Sequence, residues 1–346
     1  MGEIIITGVS GQDGSYMVDY LLENTNHNIY GGVRRLSVKN HQNIKHINHP
    51  RFKLIDLDVT DPVNITGVIR NIKPDYFINL AANSFVGSSW EMPINHYQTN
   101  ALAVLHQLEA IRQYCPSCRY YNAGSSEEFG DVQYSPQDEK HPLRPRSPYG
   151  AAKASARHLV KVYRESFDLY AVQGWLFNHE SERRGEEFVT RKITKGIARI
   201  AHQLDLEKHM VGVVGGIKPL NLGNLDAKRD WSHAEDFVYG IWLMMNQNEP
   251  KDYVLSSNET HSVRDFVNAA LEQAGISGEW TGKGINEKFV HNGKVLVEVN
   301  PQFYRPAEVE LLLGDSTKAR DELMWEPQND FKTLVSRMYD NDKIKV

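Results

Sequence analysis

Short apolar runs alternate with amphipathic stretches through the first half of the chain. Ile4-Ile-Ile-Thr7 reads as a strand and leads into a helix over Tyr16 to Glu23, and Ile29 to Arg34 is the next β-rich run. Phe52 to Asp56 precedes a helix over Val63 to Asn71, Tyr76 to Leu80 precedes one over Ala101 to Tyr114, and Tyr120 to Ala123 and Tyr170 to Leu176 continue the series. Strands that alternate with helices through connections of a few residues predict a parallel, doubly wound α/β sheet. After about residue 180 the rhythm breaks at Arg183-Arg184, the Gly-rich Val211 to Gly216 and the loop-like Asn258 to Ser262. The expectation is a sheet domain over 1–180 and, over 181–346, a smaller C-terminal region interleaved with it, some of whose elements return to the sheet.

Composition narrows the class. A chain of 346 residues with 40% hydrophobic content buries a full core without staples. Its 39 Lys and Arg are outnumbered by 44 Asp and Glu and spread along the chain, so no nucleic-acid partner is expected. The apolar runs are strand-sized and the first begins at Ile4, leaving no room for a signal peptide, so a cytoplasmic protein with no membrane partner is expected. The two cysteines form Cys115-Pro-Ser-Cys118 between a helix and a strand. No second pair completes four zinc ligands, and reduced thiols in a connection are expected. No HExxH or paired-ligand spacing supports a metal.

Gly8-Val-Ser-Gly11-Gln12-Asp13-Gly14 directly follows the first strand and opens a helix. The first Gly permits a tight turn, the second lets a pyrophosphate approach the backbone, and the third lets helix pack on strand. The GxxGxxG spacing resembles the extended short-chain dehydrogenase/reductase superfamily and implies a Rossmann-type sheet. Where a carboxylate would bind the ribose of NAD, the second strand ends in Val33-Arg34-Arg35. Arginine there pairs with a 2′-phosphate, so NADP is the expected cofactor. Asp58 and Val59 stand where superfamily members contact adenine, and Leu80, Ala81, Ala82 and Ser84 are further cofactor positions implied by the resemblance.

Tyr149-Gly-Ala-Ala-Lys153 places a phenol and an ammonium one helical turn apart. A cation beside Tyr149 is expected to bring its pKa from about 10 toward neutrality, so that it serves as a base. Preceded by Ser147-Pro148 and by Ser125-Ser126-Glu127, the pair resembles the superfamily's catalytic group. An epimerase or reductase needs only the hydroxyl residue with Tyr and Lys, whereas a 4,6-dehydratase needs one more acid/base group, for which Glu127 is the candidate. The adjacent Glu128 is read as an exposed loop carboxylate.

In the second half Asn178-His-Glu-Ser181, Arg183-Arg-Gly185, Phe188-Val-Thr-Arg-Lys-Ile193, Leu222 to Trp231 and Tyr304-Arg-Pro-Ala-Glu-Val309 follow in an order and spacing that resemble the GDP-mannose 4,6-dehydratase family over nearly the whole chain. The resemblance implies that Ser125, Glu127, Tyr149 and Lys153 are catalytic, and that His179 and Arg184 contact NADP. It implies GDP-mannose contacts at Ser84, Asn178, Val189 and Lys192, and at Gly223, Arg229, Arg305 and Glu308. The product would be GDP-4-keto-6-deoxy-mannose, the precursor of GDP-fucose and GDP-rhamnose. A reductase of that keto product and a non-catalytic NADP-binding regulator are the alternatives. The resemblance also implies a homodimer or homotetramer in which the loop over Leu36 to His46 meets a neighbour near the cofactor phosphate. The chain departs from the family at Ser125, usually Thr, at Asn83, usually Gln, and near Asn95, usually Tyr. The stretch Glu207 to Pro219 is longer than the family's loop.

Overall fold

The computed structural model describes residues 1–38, 40–209, 216–303 and 311–345. Strands β1 (Glu3–Thr7), β2 (Asn28–Val33), β3 (Phe52–Asp56), β4 (Tyr76–Asn79), β5 (Arg119–Ala123) and β6 (Ala171–Leu176) alternate with helices α1 (Gln12–Asn24), α2 (Pro62–Ile72), α3 (Pro93–Tyr97), α4 (Ala103–Tyr114) and α5 (Pro148–Phe167). Local chemistry sets their ends. Asp61 caps α2 by accepting from the N–H groups of Val63 and Asn64, with Pro62 in the first turn, and Ser147 caps α5 ahead of Pro148. The Cys115–Cys118 turn joins α4 to β5, and both thiols are free and buried.

The second half contributes β7 (Asn178–Glu180), α6 (Val189–His209), β8 (Leu220–Leu222), β9 (Lys228–Arg229), β10 (Trp231–His233), α7 (Ala234–Met245) and β11 (Val254–Leu255). It continues with β12 (His261–Ser262), α8 (Val263–Gln273), β13 (Glu279–Thr281), β14 (Lys288–His291), β15 (Lys294–Val299), β16 (Leu311–Leu312), α9 (Thr317–Leu323) and α10 (Phe331–Lys343). Among the described residues, seven strands form one parallel sheet in the order β11-β6-β5-β4-β1-β2-β3. The return of β11, residues 254–255, to the edge beside β6 interleaves the two halves of the chain.

Strand alternation divides the core. Ile4 and Ile6 face one side, packed with Met17 and Leu21 of α1 and Phe237 and Ile241 of α7, while Ile5 faces the other with Ile65 of α2, Leu108 of α4 and Val160 of α5. A separate core joins α6, α8 and α10 through Ile193, Ile197, Phe266, Leu334 and Met338. Small sheets, β13-β14-β15-β8 and β12-β9-β16, complete that half, and β10 pairs with β7.

The strand order reverses between β1 and β4, which opens a crevice at the carboxyl ends of the strands. The helix expected from Ala101 starts earlier than its pattern suggests: α3 and a π-turn over Gln98–Leu102 precede α4. The π-turn places Asn100 so that its Oδ1 accepts from the Asn83 N–H at 3.0 Å and its Nδ2 donates to the Asn83 carbonyl at 3.0 Å. A tertiary contact to the loop after β4 thus accompanies the local break in the helical repeat. Among the described residues no helix is long and apolar enough to cross a membrane.

Candidate active site

A cleft of about 920 Å³ lies over the crevice, walled by the residues that follow β1, β4, β5 and β6 and, opposite, by the start of α6, Gly223 and Arg229. At one end the glycine loop has the space its sequence demands. Gly8 has φ of +68°, and a Cβ there would lie 2.7 Å from the Ala81 nitrogen. A Cβ on Gly14 would lie 2.3 Å from the Gly8 carbonyl oxygen, so α1 packs against the turn only because this residue has no side chain. At Gly11 the nearest obstacle to a Cβ is 3.2 Å away, and no side chain caps the helix it begins. The amino end of α1 therefore opens on the cleft with backbone donors and no bulk, a cradle that fits a diphosphate.

Gln12 and Asp13 tie this cradle to the second half of the chain. Gln12 Nε2 donates to the His179 carbonyl at 3.0 Å and to Asp13 Oδ1 at 2.9 Å, and Ser181 Oγ donates to Gln12 Oε1 at 2.7 Å. His179 Nε2 meets Asp13 Oδ2 at 2.9 Å. Arg184 lies 3.0 Å from Glu180 and 3.6 Å above the Phe188 ring. Arg34, Asp58 and Val59 line the far end of the cleft, and Leu80, Ala81, Ala82 and Ser84 line its floor; Arg35 is exposed and does not line it. Ser10, Asn40 and His41 also line the far end, and Asn43 Nδ2 donates to the Ser10 carbonyl at 3.1 Å. Ser10 belongs to the glycine motif, whereas no motif announces Asn40 and His41; only the fold of the segment after β2 brings those two here.

Ser125, Glu127, Tyr149 and Lys153 converge at the middle of the cleft. Ser125 ends the turn after β5, with its Oγ accepting from the Glu127 N–H at 3.2 Å and hydrogen-bonded to Tyr149. Lys153 Nζ donates to the Ala123 carbonyl at 2.7 Å and lies 5.9 Å from the Tyr149 ring centre. Burial pushes the Tyr149 phenol up to about 12, the Ser125 hydrogen bond opposing and the Glu127 and Glu128 charges adding to it. Burial likewise brings the Lys153 ammonium down to about 8. The expected descent of Tyr149 toward neutrality is therefore corrected for the protein alone: desolvation outweighs a cation directed at a backbone carbonyl.

Glu127 and Glu128 part company. Glu127 is half-buried and lines the cleft. Glu128, read from sequence as an exposed loop carboxylate, is fully buried: Oε2 accepts from Arg157 Nε at 2.5 Å, and Oε1 accepts from the Ser125 N–H at 2.8 Å. Arg157 in turn stacks 3.3 Å over Trp175. The correction has a physical reason, since a carboxylate leaves water at low cost only when paired and hydrogen-bonded, and Arg157 lies outside any local sequence window.

Asn178 lines the cleft just beyond β6, and Val189, Lys192, Gly223 and Arg229 line the opposite wall. Asn178 Oδ1 is buried with no hydrogen-bond partner among the described residues. Lys192 Nζ rests 3.4 Å over the Phe303 ring, and burial lowers its pKa. Gly223 passes close to the chain at Phe303, where a Cβ would lie 2.6 Å from a carbonyl oxygen. Arg305 and Glu308 lie outside the described residues, as does most of the Val211 to Gly216 run. Two departures from the family pattern meet each other: Asn83 Nδ2 donates to Asn95 Oδ1 at 2.6 Å.

The profile of the GDP-mannose 4,6 dehydratase family matches residues 5–338. The GDP-mannose 4,6 dehydratase of Drosophila melanogaster is 42% identical over 350 residues, an alignment covering 98% of this chain and 85% of the relative. The chain belongs to the GDP-mannose 4,6-dehydratase family. Solved structures share the fold at lower identity. The dTDP-glucose 4,6-dehydratase of Bacillus anthracis, in complex with NAD, superposes with a TM-score of 0.79 at 20% identity over 99% of this chain and 96% of that one. RMD from Pseudomonas aeruginosa, complexed with NADPH, gives 0.76 at 19% over the whole of both chains.

Proposed function

We infer that the chain is a nucleotide-sugar 4,6-dehydratase, a hydro-lyase converting GDP-mannose to GDP-4-keto-6-deoxy-mannose. One observation carries the reading: a further ionisable group, Glu127, stands on the same cleft as Ser125, Tyr149 and Lys153, while its neighbour Glu128 is committed to Arg157. The cradle at Gly8, Gly11 and Gly14 fits a nicotinamide dinucleotide, and Arg34 at the far end of the cleft favours NADP. Bound there, the dinucleotide would supply a hydride acceptor for C4 and return the hydride to C6, so no external reductant is consumed.

The side chains have separate tasks. Tyr149, oriented by Ser125 and faced by Lys153, takes the C4 hydroxyl proton. The ketone so formed acidifies C5; Glu127 removes that proton and delivers it to the departing C6 hydroxyl, which leaves as water. Lys192 and Arg229, with Arg305, would neutralise the diphosphate of the substrate, and Asn178 and Glu308 would meet its polar groups. In this reading residues 1–180 bind the cofactor and 181–346 mainly the sugar nucleotide.

Exposed apolar side chains at Met92, Ile94, Tyr97 and Leu102, around the start of α4, support a homodimer or homotetramer. Light scattering should give a multiple of the 39.5 kDa chain mass. The deciding assay incubates the protein and NADP with GDP-mannose and reads alkali-developed absorbance of a 4-keto sugar. Product without added NADPH is the expected result; no product with GDP-mannose overturns the reading.

A further inference from the structure

Asp13 poses an electrostatic difficulty. It sits in the first turn of α1, on the cleft, among the backbone donors assigned above to a diphosphate, where its carboxylate repels the ligand. The structure places an answer beside it. His179 Nδ1 is 2.7 Å from the Phe177 carbonyl oxygen, and Nε2 is 2.9 Å from Asp13 Oδ2. A carbonyl oxygen and an ionised carboxylate are both acceptors only, so each ring nitrogen must carry a hydrogen, and a ring with two N–H groups is the imidazolium. Phe237 stacks on it with centroids 4.5 Å apart, and the rest of the Asp13 carboxylate is taken by Gln12.

We propose that His179 is a cationic positioning residue, locked between Phe177 and Asp13, that cancels the Asp13 charge and so lets the amino end of α1 receive an anionic dinucleotide. The inference rests on the cofactor reading given above. It makes cofactor affinity depend on pH. Burial lowers the His179 pKa, but the charge and hydrogen bond of Asp13 outweigh burial and raise it. Burial raises the Asp13 carboxyl, but His179, together with Gln12 and Arg184, outweighs that and holds it at about 2. The other ionisable groups coupled to the pair are Arg184 after β7, Lys153 on α5 and the buried Tyr121 on β5. Arg184 disfavours the imidazolium and supports the Asp13 carboxylate. Affinity is therefore full while the imidazolium persists and declines as pH rises through the raised His179 pKa, where Asp13 is left uncompensated.

The test titrates NADP into the unmodified protein, His179→Gln, Asp13→Asn and the double variant, from pH 6 to 9, by calorimetry. His179→Gln should weaken binding about ten-fold, the equivalent of one pKa unit of lost charge compensation. The double variant should regain most of that loss and show no pH slope. Nitrogen-15 NMR of the cofactor-free protein near neutral pH should show hydrogens on both His179 ring nitrogens, a readout that needs neither activity nor a variant. A double variant as weak as His179→Gln, or a singly protonated ring, overturns the inference alone. Failure of the unmodified protein to take up NADP or NAD at any pH overturns the cofactor reading and this inference together.

Discussion

On the sheet side of the cleft the polar groups are held by partners distant in sequence: Asp13 by His179, Lys153 by the Ala123 carbonyl, and Glu128, which accepts from the nearby Ser125 N–H, by Arg157. Across from it Lys192 lies against the Phe303 ring, and Asn178, just beyond β6, keeps an Oδ1 with no hydrogen-bond partner among the described residues. The first wall has its geometry set before any ligand arrives, which suits groups that must meet a reacting bond without reorganising. The second keeps polar capacity in reserve, which suits recognition of a charged, hydroxyl-rich ligand. Damage to the first wall should therefore appear in turnover or stability, and damage to the second in substrate affinity.

The largest expected effects fall on the first wall. Tyr149→Phe and Glu127→Gln should each slow formation of the 4-keto product by about a hundred- to ten-thousand-fold, the scale of a lost acid/base group, while NADP still binds. Solvent deuterium should enter the C5-derived position only with an active Glu127. Near-normal dehydration by Glu127→Gln would remove Glu127 from the mechanism. Glu128→Gln should act differently although it is the next residue, by leaving Arg157 buried and partly uncompensated. Denaturant unfolding should show a loss of about 3–5 kcal/mol, and an unchanged midpoint would break the division of labour between the two carboxylates.

Smaller effects test the second wall and the far end of the cleft. Lys192→Met keeps the packing on Phe303 and removes the charge. It should raise KM for GDP-mannose by about ten- to a hundred-fold, the cost of one charge-assisted contact, with little change in kcat. A fall in kcat alone would place Lys192 among the chemical groups instead. Arg34→Ala should reduce the preference for NADP over NAD by about ten-fold, and Arg35→Ala, at an exposed position outside the cleft, by much less. Equal effects in paired titrations would contradict the separation of these neighbouring arginines.

Much of this was readable before the fold was known, and the particular elements say why. The apolar runs at β1 to β6, the glycine loop and the Tyr149–Lys153 spacing are local: a strand's alternation, a turn that tolerates no side chain and one turn of helix are each written in a few consecutive residues. The two-residue β11 carries no such pattern and becomes a strand only because β6 offers an unpaired edge. The π-turn before α4 escapes the helical reading because its Asn100 answers to Asn83, and Asn40 and His41 carry no motif of their own because a loop brings them to the cleft.

The sequence by itself determined the parallel sheet, the glycine turn that opens α1 without side-chain bulk and the presence of a carboxylate beside a Tyr–Lys pair, because periodicity and steric permission act over short distances along the chain. Only the tertiary structure decided which of two adjacent glutamates faces the cleft, that burial holds Tyr149 up at about 12, and that Asp13 is answered by a histidine 166 residues away. Charge and desolvation depend on what surrounds a group in space, and those surroundings are assembled from residues that no local window contains.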